Sequence, residues 1–346
     1  MFPDLKPFMK FSQPKVPMKR PTTRIVTNIP GLPGAAANRS DVTVELAANR
    51  SDTFLKQCRR ADVVIIDDDF RKLTEAALLR WTARFTLVSV DLILRPPRSL
   101  AARARIAFKR LILSKISLFI LYFRDTAGYT KHYGINPARM AYVPFKANGL
   151  PDLNDWPRPN PDGDVVLCAG RTLRDVGTFV AAIREAGCPG VLLQQSDRHL
   201  CEHGSRPWEA DLPPNLTRVI DEADTIESFV AHLNRARILV IPRFKGDIAA
   251  TGISTYLTAM ALGKAVIISR GPGADDLLVD EAVMVEAEDA SELAAAIRRL
   301  WSDDTLRRSI AENGRRYAER LAGEDRLCRD ILAAALSHHV RARGLR

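Results

Sequence analysis

Ile238-Leu-Val-Ile-Pro242, the loop Arg243–Thr251, Gly252-Ile-Ser-Thr-Tyr-Leu-Thr-Ala-Met-Ala-Leu262, Gly263-Lys264 and Ala265-Val-Ile-Ile-Ser269 follow one another without a break. The stretch reads as strand, loop, helix and strand. Its first and last pieces are short apolar runs rich in β-branched residues, the pattern of strands buried on both faces. Gly252 and the hydroxyls after it open a helix, and Gly263 closes it. Two buried strands joined by a helix make a parallel βαβ unit. The helix begins close behind a strand end, where unpaired backbone N–H groups and the helix dipole favour an anion.

The same alternation runs outward in both directions. Val165–Ala169 is a strand, followed by the turn Gly170-Arg-Thr-Leu-Arg-Asp175 and a helix to Ala186. Strands at Val191–Gln194 and Thr217–Ile220 and a helix at Ile226–Arg235 complete the approach to the central unit. Beyond it lie the turn Gly271-Pro-Gly273 and amphipathic helices over Ala290–Trp301, Thr305–Ala322 and Asp325–Ala335. The first half predicts strands at Arg24–Asn28, Val42–Leu46, Asp62–Ile66, Phe85–Val90, Ile116–Tyr122 and Met140–Pro144. Helices are expected over Ser51–Arg60, Lys72–Ala83, Arg98–Leu113 and Asp125–His132. Ala147–Asp164 holds four prolines and two glycines and reads as a linker. The expectation is an α/β chain of two Rossmann-like domains closed by C-terminal helices. An irregular segment spans 1–23, a first domain 24–147, a linker 148–163, a second domain 164–322, and a helix with its tail 323–346.

A chain of 346 residues can bury two separate cores. Met1–Arg20 lacks the apolar run of a secretory leader, and the most apolar stretch, Leu111–Phe123, is short and interrupted by Lys115. The five scattered cysteines, Cys58, Cys168, Cys188, Cys201 and Cys328, argue against a disulfide framework and suit a reducing compartment. His199-x-Cys201-x-His203 fits no standard zinc spacing, so no metal or other cofactor is expected. Charge is divided unevenly. Residues 1–150 carry 26 Lys+Arg against 11 Asp+Glu, and residues 151–346 carry 25 against 30. So basic a first half points to a polyanionic partner: a membrane surface, nucleic acid or a phosphorylated substrate.

Gly252-Ile-Ser-Thr-Tyr-Leu-Thr-Ala-Met-Ala-Leu-Gly-Lys-Ala-Val-Ile resembles the G-x-S-x-x-L-E-A-M-A-x-G-x-P-V-I pattern of GT-B glycosyltransferases of the broad group 1, family 4-like class. Gly170-Arg-Thr-Leu-Arg-Asp is similar to the phosphate turn that opens their second domain, and Tyr142-Val-Pro144 to the V-P-x-G that ends their first. The resemblance covers about residues 140–320. It implies two Rossmann-like domains facing across a cleft, with a nucleotide-sugar donor on the second and no metal. It implies that Gly170, Arg171, Arg174, Lys245, Gly252, Ile253, Ser254 and Thr255 hold the diphosphate. The family's ribose-binding glutamate is Thr258 here, and the acidic residue eight positions earlier is Ala250. Thr258 offers one hydroxyl in place of a carboxylate, and Asp247 is a weak substitute. Retention or inversion is left open.

A catalytic base for an inverting reaction must face the cleft from the first domain. Asp67, Asp69 and Asp91 are candidates because they follow strand ends, although one of the adjacent aspartates could cap the next helix. The basic helix Arg98–Leu113 places Leu100, Ala104, Ala107, Phe108 and Leu111 on one face and Arg98, Arg105 and Lys109 opposite. Either it covers the sheet with its arginines solvated, or Arg98, Arg105, Lys109 and Arg110 meet an anionic cytoplasmic leaflet, with Phe108 or Leu111–Leu113 dipping in. Nucleic acid is disfavoured, since aromatics for stacking are few and no recognition motif is present. The expectation is a cytoplasmic, peripherally membrane-bound transferase that moves a sugar to a glycan, lipid-linked, in bacterial surface or exopolysaccharide synthesis. Two alternatives remain at this point: a non-catalytic subunit with a degenerate donor site, and a nucleotide-sugar epimerase.

Overall fold

The computed structural model describes residues 22–97, 100–147, 161–195, 208, 210–223, 225–321 and 323–344. In the first half, β1 (Thr23–Thr27), α1 (Leu32–Ala36), β2 (Val42–Leu46), α2 (Ser51–Arg60), β3 (Val63–Asp67), α3 (Phe70–Leu79), β4 (Thr86–Val90), α4 (Leu100–Ser114), β5 (Leu118–Leu121), α5 (Ala127–Tyr133) and β6 (Met140–Tyr142) follow in turn. The second half continues with β7 (Val165–Cys168), α6 (Val176–Ala186), β8 (Gly190–Gln194), β9 (Leu216–Ile220), α7 (Ile226–Arg235), β10 (Ala236–Ile241), α8 (Ile253–Ala261), β11 (Ala265–Ser269) and β12 (Val283–Val285). Three helices close the chain: α9 (Ala290–Ser302), α10 (Asp304–Leu321) and α11 (Glu324–Ala342).

Each half builds a six-stranded sheet, in the orders β2-β1-β3-β4-β5-β6 and β12-β11-β10-β7-β8-β9. Every pairing is parallel. A parallel sheet is buried on both faces by its crossover helices. That is why Val63–Ile66 in β3 and all five residues of β4 and β11 are buried, and why these strands read as unbroken apolar runs. The expected pair of Rossmann-like domains facing across a cleft is what the chain forms.

The structure corrects several details. The short helix α1 and the strand β12 were not expected. Ile116–Tyr122 contracts to Leu118–Leu121. Among the described side chains of α4, Ile106, Ile112 and Leu113 are buried, whereas Phe108 and Leu111 stand in solvent. Apolar residues occur around most of this helix, so their spacing alone does not choose the buried side. Arg98 lies outside the described residues, as do His199, Cys201 and His203. The four described cysteines, Cys58, Cys168, Cys188 and Cys328, are unpaired and buried.

The last helix departs most from expectation. It runs to Ala342 rather than Ala335, and it packs against α1, β3 and β5 of the first domain. Ile331, Leu332, Ala335 and Leu336 enter that domain's core. His339 is buried beside β4, its Nδ1 2.7 Å from Thr86 Oγ1. Inside a core a polar pair of this kind satisfies both partners. The chain therefore crosses between domains twice, and Lys146 Nζ on the first crossing lies 2.6 Å from the Glu324 carboxylate on the second. The linker's end is fixed by the fully buried Arg307, which pairs with Asp162 at 2.8 Å and Asp304 at 2.5 Å. Across the domain boundary the Asp276 carboxylate accepts the backbone N–H groups of Arg124 and Asp125 at 2.5 and 3.1 Å.

Candidate functional site

An open parallel sheet has a crevice where the chain, having laid strands to one side, returns to lay them to the other. In the second sheet that point lies between β7 and β10. The residues after these two strands are the two segments singled out in the sequence, Gly170–Arg174 and the loop leading to Gly252. Both line a cleft of ≈ 540 Å³ together with Asp91, Ile93, Tyr122, Phe145 and Lys146 of the first domain.

The second-domain wall is an anion cradle. Gly252 has φ +100° and precedes α8, which has no side-chain cap. Ile253, Ser254 and Thr255, the first turn of α8, line the cleft, so the amide-rich end of the helix meets whatever binds there. Arg174 is packed between this helix end and the Gly170 turn. Its Nε donates to Ala169 O at 3.0 Å, Nη1 to Thr172 O at 2.7 Å, and Nη2 to Thr255 Oγ1 at 3.4 Å. A Cβ on Gly170 (φ +110°) would collide with the Arg174 guanidinium, and one on Gly252 would press on both Ile241 and Arg174. Burial lowers the Arg174 guanidinium to about 10, and the neighbouring Arg243 pushes the same way. Arg243 is itself 1% exposed, donates to Ala249 O and Pro272 O, and leaves its Nε without a partner among the described residues. Two buried guanidinium groups thus sit under the cradle, and the exposed Arg171 reaches it from the turn.

At one end of this wall Leu193, Ile226 and Phe229 are apolar, while Gln195, Asp221 and Thr225 are polar. Asp221 accepts Ser228 Oγ at 2.8 Å, and Thr225 caps α7.

The opposite wall carries carboxyl groups. Asp91 follows β4 with φ +47°, and its side chain accepts no hydrogen bond from the described residues. Such backbone geometry is uncommon outside glycine and concentrates at functional positions. Burial, then the charges of Asp67 and Asp68, hold the Asp91 carboxyl well above the usual carboxylate range. Asp67 ends the adjacent strand β3, its backbone clasped on both sides by the Asn28 side chain at 2.8 Å. Burial, with Asp68 and Glu324, pushes the Asp67 carboxyl up to about 7. Tyr122, directly after β5, packs against Phe145 with ring centroids 4.5 Å apart and planes tilted by 45°, and both line the cleft.

The expected site residues separate on this geometry. Gly170, Arg171, Arg174, Gly252, Ile253, Ser254, Thr255 and Asp91 come together, and Asp67 stands behind Asp91. Asp69 does not join them. It caps α3 through the Lys72 N–H and pairs with the Lys72 ammonium at 2.9 Å, and these contacts outweigh burial to hold its carboxyl below the ordinary range. Lys245 is exposed and outside the cleft lining, its N–H bonded to Glu288. Thr258 is fully buried, its hydroxyl donating to Ser254 O one turn back, the usual resting place of a threonine inside a helix. Tyr122, Phe145, Lys146, Gln195, Asp221 and Thr225 were missed. All but the last follow strand ends closely, so the rule that selected Asp91 would also have found them.

Comparison with known proteins agrees with the fold. Residues 221–317 match the sequence model of the family Glycosyl transferases group 1. No curated protein sequence matches the chain. Among solved structures, Anabaena HepE in complex with UDP-glucose is similar over 91% of this chain and 99% of its own, at 15% identity and a TM-score of 0.66. Sucrose-phosphate synthase from Thermosynechococcus elongatus is similar over 93% and 100%, at 16% identity and a TM-score of 0.63. Trehalose-6-phosphate synthase, studied for glycosyl transfer with retention, is similar over 83% and 76%, at 12% identity and a TM-score of 0.60. The chain has the GT-B fold, and residues 221–317 of its second domain match the group 1 glycosyltransferase model.

Proposed function

We propose that this GT-B chain is a glycosyltransferase that moves a sugar from a nucleotide-sugar donor to a glycan acceptor. The observation that carries the reading is the pairing of the two walls. A helix N-terminus with buried guanidinium groups shares a cleft with the Asp91 carboxyl, which accepts no hydrogen bond from the described residues. In the transfer, an acceptor hydroxyl oxygen bonds to the anomeric carbon as the bond from that carbon to the diphosphate breaks. Negative charge gathers on the departing nucleoside diphosphate. Preorganised N–H groups and guanidinium charge aimed at it stabilise the transition state more than the ground state. Arg171 and the first turn of α8 take the diphosphate, Arg174 holds turn and helix end in register, and the end formed by Leu193, Ile226 and Phe229 takes the nucleoside. Asp91 receives the acceptor hydroxyl and, when ionised, its proton. Tyr122 and Phe145 provide an apolar face for a sugar ring.

The acceptor is a lipid-linked glycan of a bacterial surface or exopolysaccharide, and the protein works at the cytoplasmic face of the membrane. The basic first half and the absence of any described helix long and apolar enough to cross a membrane are consistent with attachment from one side. The burial of Thr258 and the alanine at 250 support a second reading, a binding subunit that has lost its donor. A melting-temperature titration with UDP, GDP, ADP, dTDP and CMP separates the two, because a ligand held only by the folded state raises the melting temperature. UDP is the first to try, given the UDP-glucose complex of HepE. Stabilisation by one nucleotide, weakened in Arg171→Ala, is expected. A folded sample that responds to none would leave the binding-subunit reading in its place.

A further inference from the structure

Nine large apolar side chains are exposed among the described residues, and five of them lie on two neighbouring helices of the first domain. On α3 and just beyond it they are Phe70, Leu78 and Trp81, spaced to share one helical face. On α4 they are Phe108 and Leu111, with Lys115 at the next matching position. Trp81 and Phe108 are each 59% exposed. The two rows are tied together at both ends by cations over rings. Lys109 Nζ lies 5.5 Å from the Phe70 centroid, and Lys115 Nζ 5.4 Å from that of Trp81. Arg105 lies near Lys109, and no acidic residue occurs from position 92 to 124.

We infer that this α3–α4 face is a docking surface for an anionic phospholipid bilayer, with Trp81, Phe70, Phe108 and Leu111 seated at the headgroup level and the lysines and arginines on lipid phosphates. Aromatic and aliphatic side chains standing out of a predominantly basic surface, on which Asp69 and Glu75 are paired with Lys72 and Arg71, are what an interfacial helix presents to lipid. A nucleic-acid backbone would meet the same charges, but it has no place for an apolar stripe along the centre of the patch. The face extends the basic surface expected on α4 to a second helix, just beyond which Trp81 is as exposed as Phe108.

Its position gives it a purpose. Phe70 directly follows Asp69 at the strand-end edge where the cleft opens, and α4 follows the Asp91 segment. Docking by this face sets the carboxyl wall of the cleft close to the leaflet, where a lipid-linked hydroxyl could enter without leaving the bilayer. That purpose rests on the transferase reading; the docking itself does not.

The test is co-sedimentation of the full chain with vesicles of phosphatidylcholine, with and without phosphatidylglycerol. The UDP melting shift is read on the same samples. Binding is expected only with phosphatidylglycerol and is expected to fall with salt. The double variant Trp81→Ala, Phe108→Ala should partition about tenfold more weakly, and Lys109→Glu with Lys115→Glu more weakly still. Trp81 and Phe108 are exposed and Lys109 and Lys115 half-buried, all outside the cleft lining, so the variants stay folded and keep the parent's UDP response. The inference is overturned if phosphatidylglycerol vesicles leave the folded chain in solution, or if both variants bind as the parent does. It is equally overturned if vesicles fail while a DNA duplex is bound through these same residues. A missing UDP shift with intact vesicle binding counts against the transferase reading alone.

Discussion

The two domains are built to nearly the same plan and arm the ends of their strands oppositely. In the second domain the strands on either side of the crevice lead into glycine turns, an open helix end and buried arginines. In the first, the corresponding edge carries Asp67, Asp68 and Asp91, crowded enough that burial and mutual repulsion keep two of them from ionising normally. A parallel sheet fixes where a ligand lies, and the side chains after its strands decide which charge it carries. Facing the two edges across one cleft gives a polarity that suits a leaving diphosphate on one side and a hydroxyl losing its proton on the other.

Removing the acidic half of that polarity should have the largest effect. Asp91→Asn is expected to lower kcat about 10²–10⁴-fold, the range for loss of a general base, while leaving the nucleotide melting shift intact. A loss of nucleotide binding in this variant would show that the walls do not divide the work. On the basic side, Arg171→Ala should weaken the nucleoside diphosphate about tenfold to a hundredfold by calorimetry, the loss of one or two charge-assisted hydrogen bonds. Its effect on the acceptor KM should be much smaller.

The repulsion between carboxyl groups can be read through pH. Asp67 keeps its proton in the fold up to about 7, while an unfolded aspartate loses it near about 4. From about pH 4 to about pH 7 the native state therefore binds more protons than the unfolded one, so this group's contribution to stability falls as pH rises and then levels off. Asp67→Asn should raise the melting temperature more at about pH 8 than at about pH 4. With one negative charge gone, the Asp91 carboxyl ionises more easily, and the rising limb of the pH–rate profile should move to lower pH. A limb that stays in place would separate Asp91 from the proton transfer. The smallest effect is expected at Lys146–Glu324, where the carboxylate is half in solvent. Glu324→Gln should cost no more than about 1 kcal/mol, detectable as a slight fall in the denaturant midpoint.

Much of this contrast was visible in the chain. Apolar runs alternating with helical periodicity announced both sheets, and glycine followed by hydroxyls announced the α8 cradle. Asp67 and Asp91 stood out as carboxyls at the ends of buried strands. What local pattern could not supply was direction. Thr258 shares its helix with Ser254 and Thr255 but turns its hydroxyl back onto the backbone. Asp69 is one of three consecutive aspartates, and only its distance from Lys72 shows that it caps a helix. The α4 face was misjudged because Ile106 and Leu113 outcompete Phe108 and Leu111 for the sheet, a contest that spacing does not record. Lys146 is held at the cleft by Glu324 of α11, a partner far along the chain.

The return of α11 to the first domain also bears on how the protein is made. Ile331, Leu332, Ala335 and Leu336 complete a core whose other members emerge from the ribosome some two hundred residues earlier. Domains usually fold in the order of synthesis. Here the domain begun first is finished last, and until α11 arrives it carries an open apolar seam beside α1, β3 and β5. A chain shortened before Glu324 would hold both sheets but leave the core of the first domain without its last helix. Its failure in the cell would look like aggregation or proteolysis rather than a loss of catalysis.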